Sequence, residues 1–324
     1  MQYLLGLPCF TEKPVFVPEL FVLIRKRLDE KFFNMLTLML AEADGSKPTG
    51  EDTDEDGHEH GGTLKVDATC CDAEIRYPTD TNLLEDGSRH DHKCLQAAFK
   101  MFEQQKMMFE EGVRTCADRI ISIYQPHLRP IVRGKAKAKV EFGAKTGVSF
   151  VNGYTYVDHL SWDAYNESSD LSLQTELYRQ RFGILPKEVQ ADKIYLGKDN
   201  RRYIRAMHMD CFNHPLGRPP KEENDVHLED KKRAIGERNE VEATFGTSKR
   251  VYRANNIRAK LDETADTWIG ACFFAKNVMK FLRGLLRLIL GIFGQKPIMG
   301  QLYNNEAKLI PVYAYQRQWH LIIN

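Results

Sequence analysis

Three carboxylates carry the chemistry that this chain could perform. Glu242 lies in "RNEVEATFGTSK", four residues after Arg238 and seven before Lys249. A glutamate between cations on a helix is ordinarily a surface salt bridge, stabilising by a few tenths of a kcal/mol, roughly, per pair. It can also be a metal ligand whose neighbouring cations grip phosphate. Asp67 in "LKVDATCCD" and Asp192 in "VQADKIYLG" each follow a short apolar strand pattern and precede a change of direction. Such positions expose a carboxylate at a sheet edge, where sites collect. Two acids from strands and one from a helix can converge on divalent metal. Mg²⁺ takes a few carboxylate oxygens and leaves its other positions to water and phosphate. Two such ions can polarise the attacking and leaving oxygens of a phosphodiester. Singly, each aspartate reads better as a turn or cap residue, and only the set carries the metal reading.

The elements around them give an alternating order. Residues 15–40 have helical spacing with Pro18 at a tolerated first turn. "TLKVDAT" (63–69) is a strand, and "AEIRYP" (73–78) extends or follows it. Residues 85–119 lack proline and read as helix. Residues 139–151 and 154–162 alternate around Asn152-Gly153, a hairpin signal. Helices are expected at 170–182 with Asp170 as cap, at 197–208, from 230 to about 245 and at 264–293. Another strand is expected at 188–192, and a Pro/Gly loop at 214–224. This is an α/β chain with a mixed sheet flanked by helices.

Net charge is +1, from 46 Lys+Arg and 45 Asp+Glu. Residues 41–62 hold eight of those acids against Lys47 alone, so the rest of the chain carries +8. The acidic stretch is expected to be a disordered linker masking a basic body. Seven scattered cysteines without a C-x-x-C pair fit a reducing compartment and argue against a disulfide framework or zinc ribbon. No signal peptide opens the chain. The apolar stretch 268–293 carries Lys276, Lys280, Arg283 and Arg287 on one helical face, so it reads as amphipathic and not as a membrane span.

Lesser motifs have plainer readings. "DTDEDGHEH" imitates a calcium loop through Asp52, Asp54, Asp56 and Gly57, but its twelfth position is Thr63, where a bidentate glutamate is needed. His58 and His60 alone do not close a transition-metal site. Trp162 and Tyr165 are read as core before base-stacking residues, and His127 and His159 as structural. Cys70 and Cys71 are small residues beside a strand end. "LGRPPK" has the Gly-Arg-Pro core of minor-groove arms, and a plain loop is as good a reading. Arg133, Lys135, Lys137 and Lys139, with Lys249, Arg250, Arg253, Arg258 and Lys260, flank the proposed acids and suit DNA phosphate.

The sequence resembles the DDE transposases of bacterial insertion sequences. The likeness rests on "LKVDATCCDAEIRYPTDTNLL", "YRQRFGILPKEVQADKIYLGKDNRRYI", "PLGRPPK" and "GERNEVEATFGTSKRVYRANNIRAKL", and it covers most of residues 63–270. The family signature Y-x2-R-x3-E-x6-K is matched by Arg238, Glu242 and Lys249, with Ile235 at the tyrosine position. The resemblance implies an RNase H-like catalytic domain over 63–270, with a helical insertion at about 82–125. It would be preceded by a helical N-terminal remnant (1–40) and the linker (41–62), and followed by a C-terminal helix and tail (271–324). It implies a catalytic, metal-binding triad of Asp67, Asp192 and Glu242 with two Mg²⁺ or Mn²⁺ ions. Arg238 would lie near DNA phosphates with the other cations. The partners would be the element's terminal repeats, target DNA and a second subunit, without membrane, in the bacterial cytoplasm at the nucleoid. The copy looks shortened at its N-terminus and after Asp67. That leaves two other readings: an inactive DNA-binding remnant that interferes with the full-length protein, and an RNase H-like nuclease without strand transfer.

Overall fold

The computed structural model describes residues 18–75, 92–132, 140–212 and 225–292. The chain divides into two compact units, Met1–Met279 and Lys280–Asn324. The second is described only to Ile292, as helix.

In the first unit, α1 (Pro18–Arg25) and α2 (Glu30–Ala43) replace the single helix expected over 15–40. Asp29 breaks them apart, because its carboxylate caps α2 by accepting from the Phe32 N–H at 2.9 Å. Residues 41–62 are not a disordered linker. After the end of α2 they form a hairpin, β1 (Asp52–Thr53) and β2 (Glu59–His60). Two anchors hold it: the Leu185 N–H donates to Glu59 O, and the Gly61 N–H to Leu185 O, both at 2.9 Å. Lys187 balances the charge beside it, 3.2 Å from Glu51 and 2.6 Å from Asp52.

The main sheet is built on β3 (Thr63–Asp72), whose β-branched and small residues suit a strand buried on both faces. β5 (Val140–Val151) pairs antiparallel with β3, with β6 (Tyr154–Ser161) and with the short β4 (Pro130–Val132). The β5–β6 turn is the expected Asn152-Gly153, with φ of 48° and 83°. β7 (Glu188–Ala191) joins the other side of β3 in parallel, placing Val66 opposite Ala191. A bridge from Glu188 to Asp210 continues the sheet beyond β7. Antiparallel strands on one side of β3 and a parallel strand on the other make a mixed sheet of RNase H-like α/β type.

The edge strand β6 is covered by two asparagines. Asn34 of α2 exchanges hydrogen bonds with the Val157 backbone at 2.6 and 3.0 Å. Asn277 of the last helix does the same to Thr155 at 2.7 and 3.0 Å. Both satisfy polar groups that an open edge would offer to another chain.

Five further helices complete the description: α3 (His92–Glu110), α4 (Leu171–Phe182), α5 (Lys198–Ala206), α6 (Asp225–Arg250) and α7 (Asp262–Ile292). One sheet face carries Leu64, Val66, Val189 and Ala191 into a core with Ala41, Leu171, Tyr178, Phe182 and Ile204. On the other face, Cys71, Ala144, Val148 and Val157 pack against Ile269, Cys272 and Phe273 of α7. Beside them runs a polar strip covered by α6. Asp170 does not cap α4 with its side chain as expected. It accepts instead from His159 Nδ1 at 3.0 Å, a bond that draws it off the helix end. Among the described residues, no helix is long and apolar enough to cross a membrane.

Candidate active site

Strand alternation builds the polar strip. Lys65 and Asp67 point one way from β3, while Leu64 and Val66 point the other. On β7, Glu188 and Gln190 share the polar face, and Asp192 continues it one step past the strand. Since Val66 pairs with Ala191, Asp67 and Asp192 stand at neighbouring positions just beyond that pair.

α6 lies across this strip. Its buried stripe is Ala234, Val241, Thr244 and Ser248, at helical spacing. Its polar side is tied to the strands rung by rung. Arg233 Nη2 reaches Glu188 at 2.9 Å, and the Gln190 amide donates to Glu237 at 2.9 Å. Lys65 Nζ lies 3.5 Å from Glu237 and 3.3 Å from Glu240. Arg238 Nη1 donates to Asp192 Oδ1 at 3.1 Å, and its Nη2 lies 3.7 Å from Glu242 Oε1. These contacts fix both the rotation and the height of α6, and so decide which of its residues stands beside the strand acids.

Arg238 therefore holds two of the three expected ligands, Asp192 and Glu242. Asp67 is the least solvated. Burial pushes its carboxyl up to about 6, against the pull of the Ala68 N–H and of Arg238. Asp192 and Glu167 add to the rise. Glu242 is 65% exposed and faces outward from α6.

The expected DNA-contacting residues divide. Arg133, Lys135, Lys137 and Lys139 lie outside the described residues. Lys249 is half-buried near the Cys70 thiol, and Arg250 is exposed on the last turn of α6. Arg253 is exposed in the following turn, with φ of 62°. Arg238, expected at phosphate, here binds the acids. Trp162 donates to Asp266 at 2.9 Å and stacks edge-on with His127, so it serves packing.

Sequence reasoning missed Glu167. It sits on a 3₁₀ turn (Glu167–Asp170), almost buried, 3.4 Å from Lys145 Nζ. Its signal was weak, because an acid after Asn166 reads as ordinary turn chemistry. Tyr195 was missed too. Its ring is fully buried, and burial followed by the charges of Glu167 and Asp67 raises its phenol.

Residues 189–279 match the family model described as a transposase DDE domain. Over that stretch the chain is similar to transposase DDE domains. The match includes Asp192, Arg238, Glu242, Lys249, Arg250 and Arg253, whereas Asp67 lies before it. No curated protein and no solved structure matches the chain. The DDE family acts on DNA and uses divalent metal.

The residues present suit such an ion. A guanidinium already places positive charge between Asp192 and Glu242, and a dication would supply the same charge more compactly. Asp67 is an under-solvated carboxyl beside a second acid, an arrangement that added positive charge relieves. All three donors are carboxylate oxygens, the type that Mg²⁺ and Mn²⁺ take. Among the described residues, the triads whose ligand atoms lie within 4.8 Å of one another are elsewhere: Asp54, Asp56 and His58, and Cys70, Asp72 and Glu141. Closing Asp67, Asp192 and Glu242 around one ion requires Arg238 to release Glu242. The Cys70 group is a poor ligand set, because burial and then Asp72 raise the thiol far above neutrality.

Proposed function

We propose that the chain cleaves DNA and transfers the freed strand, using Asp67, Asp192 and Glu242 as the ligands of two Mg²⁺ or Mn²⁺ ions. The observation that carries this reading is the bridge from Asp192 through Arg238 to Glu242, beside the half-buried carboxyl of Asp67, on a sheet of RNase H-like type. Divalent ions held there would supply the positive charge that activates the attacking oxygen and stabilises the leaving one. The chain's own part is positioning. Asp67 is fixed by the middle of β3, Asp192 by the end of β7 and Glu242 by the rungs beneath α6. With a divalent ion held by the acids, Arg238 would be free for a DNA phosphate at the reaction centre. Lys249 lies about 10 Å beyond Glu242 along the α6 axis, at a 1.5 Å rise per residue. With Arg250 and Arg253, and with Arg133, Lys135, Lys137 and Lys139, it would hold the backbone in register. Water attacks first and leaves a 3′-hydroxyl, which then attacks target DNA. No Ser or Tyr nucleophile is needed. The partners are the element's terminal repeats, target DNA and a second copy of the chain.

The test is supercoiled plasmid incubated with Mg²⁺ or Mn²⁺ and either wild type or Glu242→Gln. Metal-dependent nicks ending in 3′-hydroxyl, absent with the variant, are expected. Equal nicking by both proteins would overturn the assignment. Nicks without joining of an added 3′-hydroxyl end would reduce the function to a nuclease.

A further inference from the structure

The acidic hairpin holds a second set of donors, at the end of the sheet opposite the acids described above. Asp192 follows the last residue of β7, whereas this hairpin adjoins the first residues of β3 and β7. Asp54, Asp56 and His58 offer three ligand atoms within 4.8 Å of one another at the hairpin tip. The turn that gathers them depends on Gly57, at φ of 85°. Asp54 is 6% exposed, an unusual place for a carboxylate on a two-residue hairpin. Its Oδ1 accepts the His58 N–H at 2.7 Å. Its Oδ2 lies 2.9 Å from His60 Nε2 and 3.3 Å from His58 Nδ1. His60 is itself buried, with its other ring nitrogen 3.4 Å from Pro186 O. A third imidazole arrives from a distant segment: His208 Nε2 stands 3.7 Å from Asp56 Oδ2.

Charge argues in the same direction. Lys187 answers Glu51 and Asp52 at the base of the hairpin. At the tip, the cluster sets two carboxylates against imidazoles alone. A bound dication would answer that charge.

We infer that Asp54, Asp56 and His58 form a structural site for a zinc-class divalent ion, with His208 orienting Asp56 from behind. Mixed imidazole and carboxylate donors favour Zn²⁺ over Mg²⁺ or Ca²⁺, which take oxygen alone. Asp52 is engaged by Lys187 and Thr63 begins β3, so the calcium-loop pattern does not form an oxygen cage. His60 does not bind the ion. It orients Asp54 from behind, as second-layer partners of metal ligands do. His208 directly precedes the segment that bridges Glu188, so its contact with Asp56 would clasp the hairpin to the sheet's far edge.

The test uses the full chain stripped with chelator and titrated with ZnCl₂ by calorimetry, alongside His58→Asn, Asp56→Asn and His208→Asn. All three sites are exposed or half-exposed, and Asn tolerates the left-handed φ of 51° at His208. One saturable equivalent is expected for wild type, weakened tenfold or more in each variant. Wild type should gain thermal stability with Zn²⁺, and His58→Asn should not. Glu242→Gln should bind Zn²⁺ like wild type, and His58→Asn should nick DNA with Mg²⁺ like wild type, so this site and the phosphoryl-transfer acids fail independently. Substitution with Co²⁺ should give a spectrum without a thiolate charge-transfer band, excluding the cysteines. Undiminished binding in His58→Asn, no saturable binding in wild type, or a thiolate band would each overturn the assignment.

Discussion

The two faces of the central sheet do different work. The face under α2, α4 and α5 is apolar: Leu64, Val66, Val189 and Ala191 meet Tyr178, Phe182 and Ile204. Its few polar atoms have local partners, such as the Tyr178 hydroxyl, which donates to Gly61 O at 2.7 Å. The face under α6 is a ladder of charge, from Arg233–Glu188 through Gln190–Glu237 and Lys65 to Arg238–Asp192. Burial on the first face is non-directional and supplies stability. Charged hydrogen bonds on the second have strict geometry but add little net stability once desolvation is counted. The difference teaches that the ladder's value is register. It sets α6 so that, among the described residues, Glu242 is the acid of the helix that shares Arg238 with Asp192.

That contrast can be broken at several points. The largest effect is expected from Asp192→Asn, which should cut metal-dependent nicking by roughly 100-fold or more while leaving the thermal midpoint nearly unchanged. Unfolding of this variant, seen by circular dichroism, would make Asp192 a structural residue. On the apolar face, Leu64→Ala should cost about 3 kcal/mol in urea unfolding, since a fully buried leucine leaves a cavity. A loss below about 1 kcal/mol would mean that this face is loosely packed.

Arg238→Met should sharpen the comparison. Without metal it leaves Asp192 and Glu242 unshielded, at a cost of about 1 kcal/mol. Saturating Mg²⁺ should shrink that cost, because the ion replaces the guanidinium. A penalty independent of metal would contradict the exchange of cation for cation.

A further effect, of similar size, concerns Asp67 and has a definite sign. Its carboxyl is raised to about 6 in the fold, so the folded chain keeps a proton that the unfolded chain releases at lower pH. Its contribution therefore falls as pH rises from about 4 to about 6, and the penalty stays complete above that range. Asp67→Asn removes the penalty. The metal-free variant should be more stable than wild type at pH 7.5 by about 1–2 kcal/mol, and no more stable below about pH 4. Asp266, also raised to about 6, titrates in the same window and is unchanged in this comparison. A variant less stable than wild type at pH 7.5 would refute the buried-acid reading.

Much of this was legible in the sequence. Alternation in "TLKVDATCCD" gave β3, Asn152-Gly153 gave the hairpin, and the spacing of Arg238 and Glu242 put both on one helical side. Local pattern could not reach the rungs that link strands to α6, because Lys65 and Glu240 are 175 residues apart in the chain. It also misread residues 41–62. Composition there says disorder, yet backbone bonds between Leu185 and the hairpin's Glu59 and Gly61 order it, and Leu185 is not visible from the acidic run itself. Asp170 reads as a helix cap until His159, on a different element, claims its carboxylate.

The central claim is that these acids hold metal, and Asp192→Cys tests it most directly. A thiolate is a poor ligand for Mg²⁺ but an acceptable one for softer Mn²⁺. The account predicts that plasmid nicking by the variant is lost with Mg²⁺ and partly restored with Mn²⁺, while wild type works with both. Equal activity of the variant in the two metals would show that Asp192 does not touch the ion.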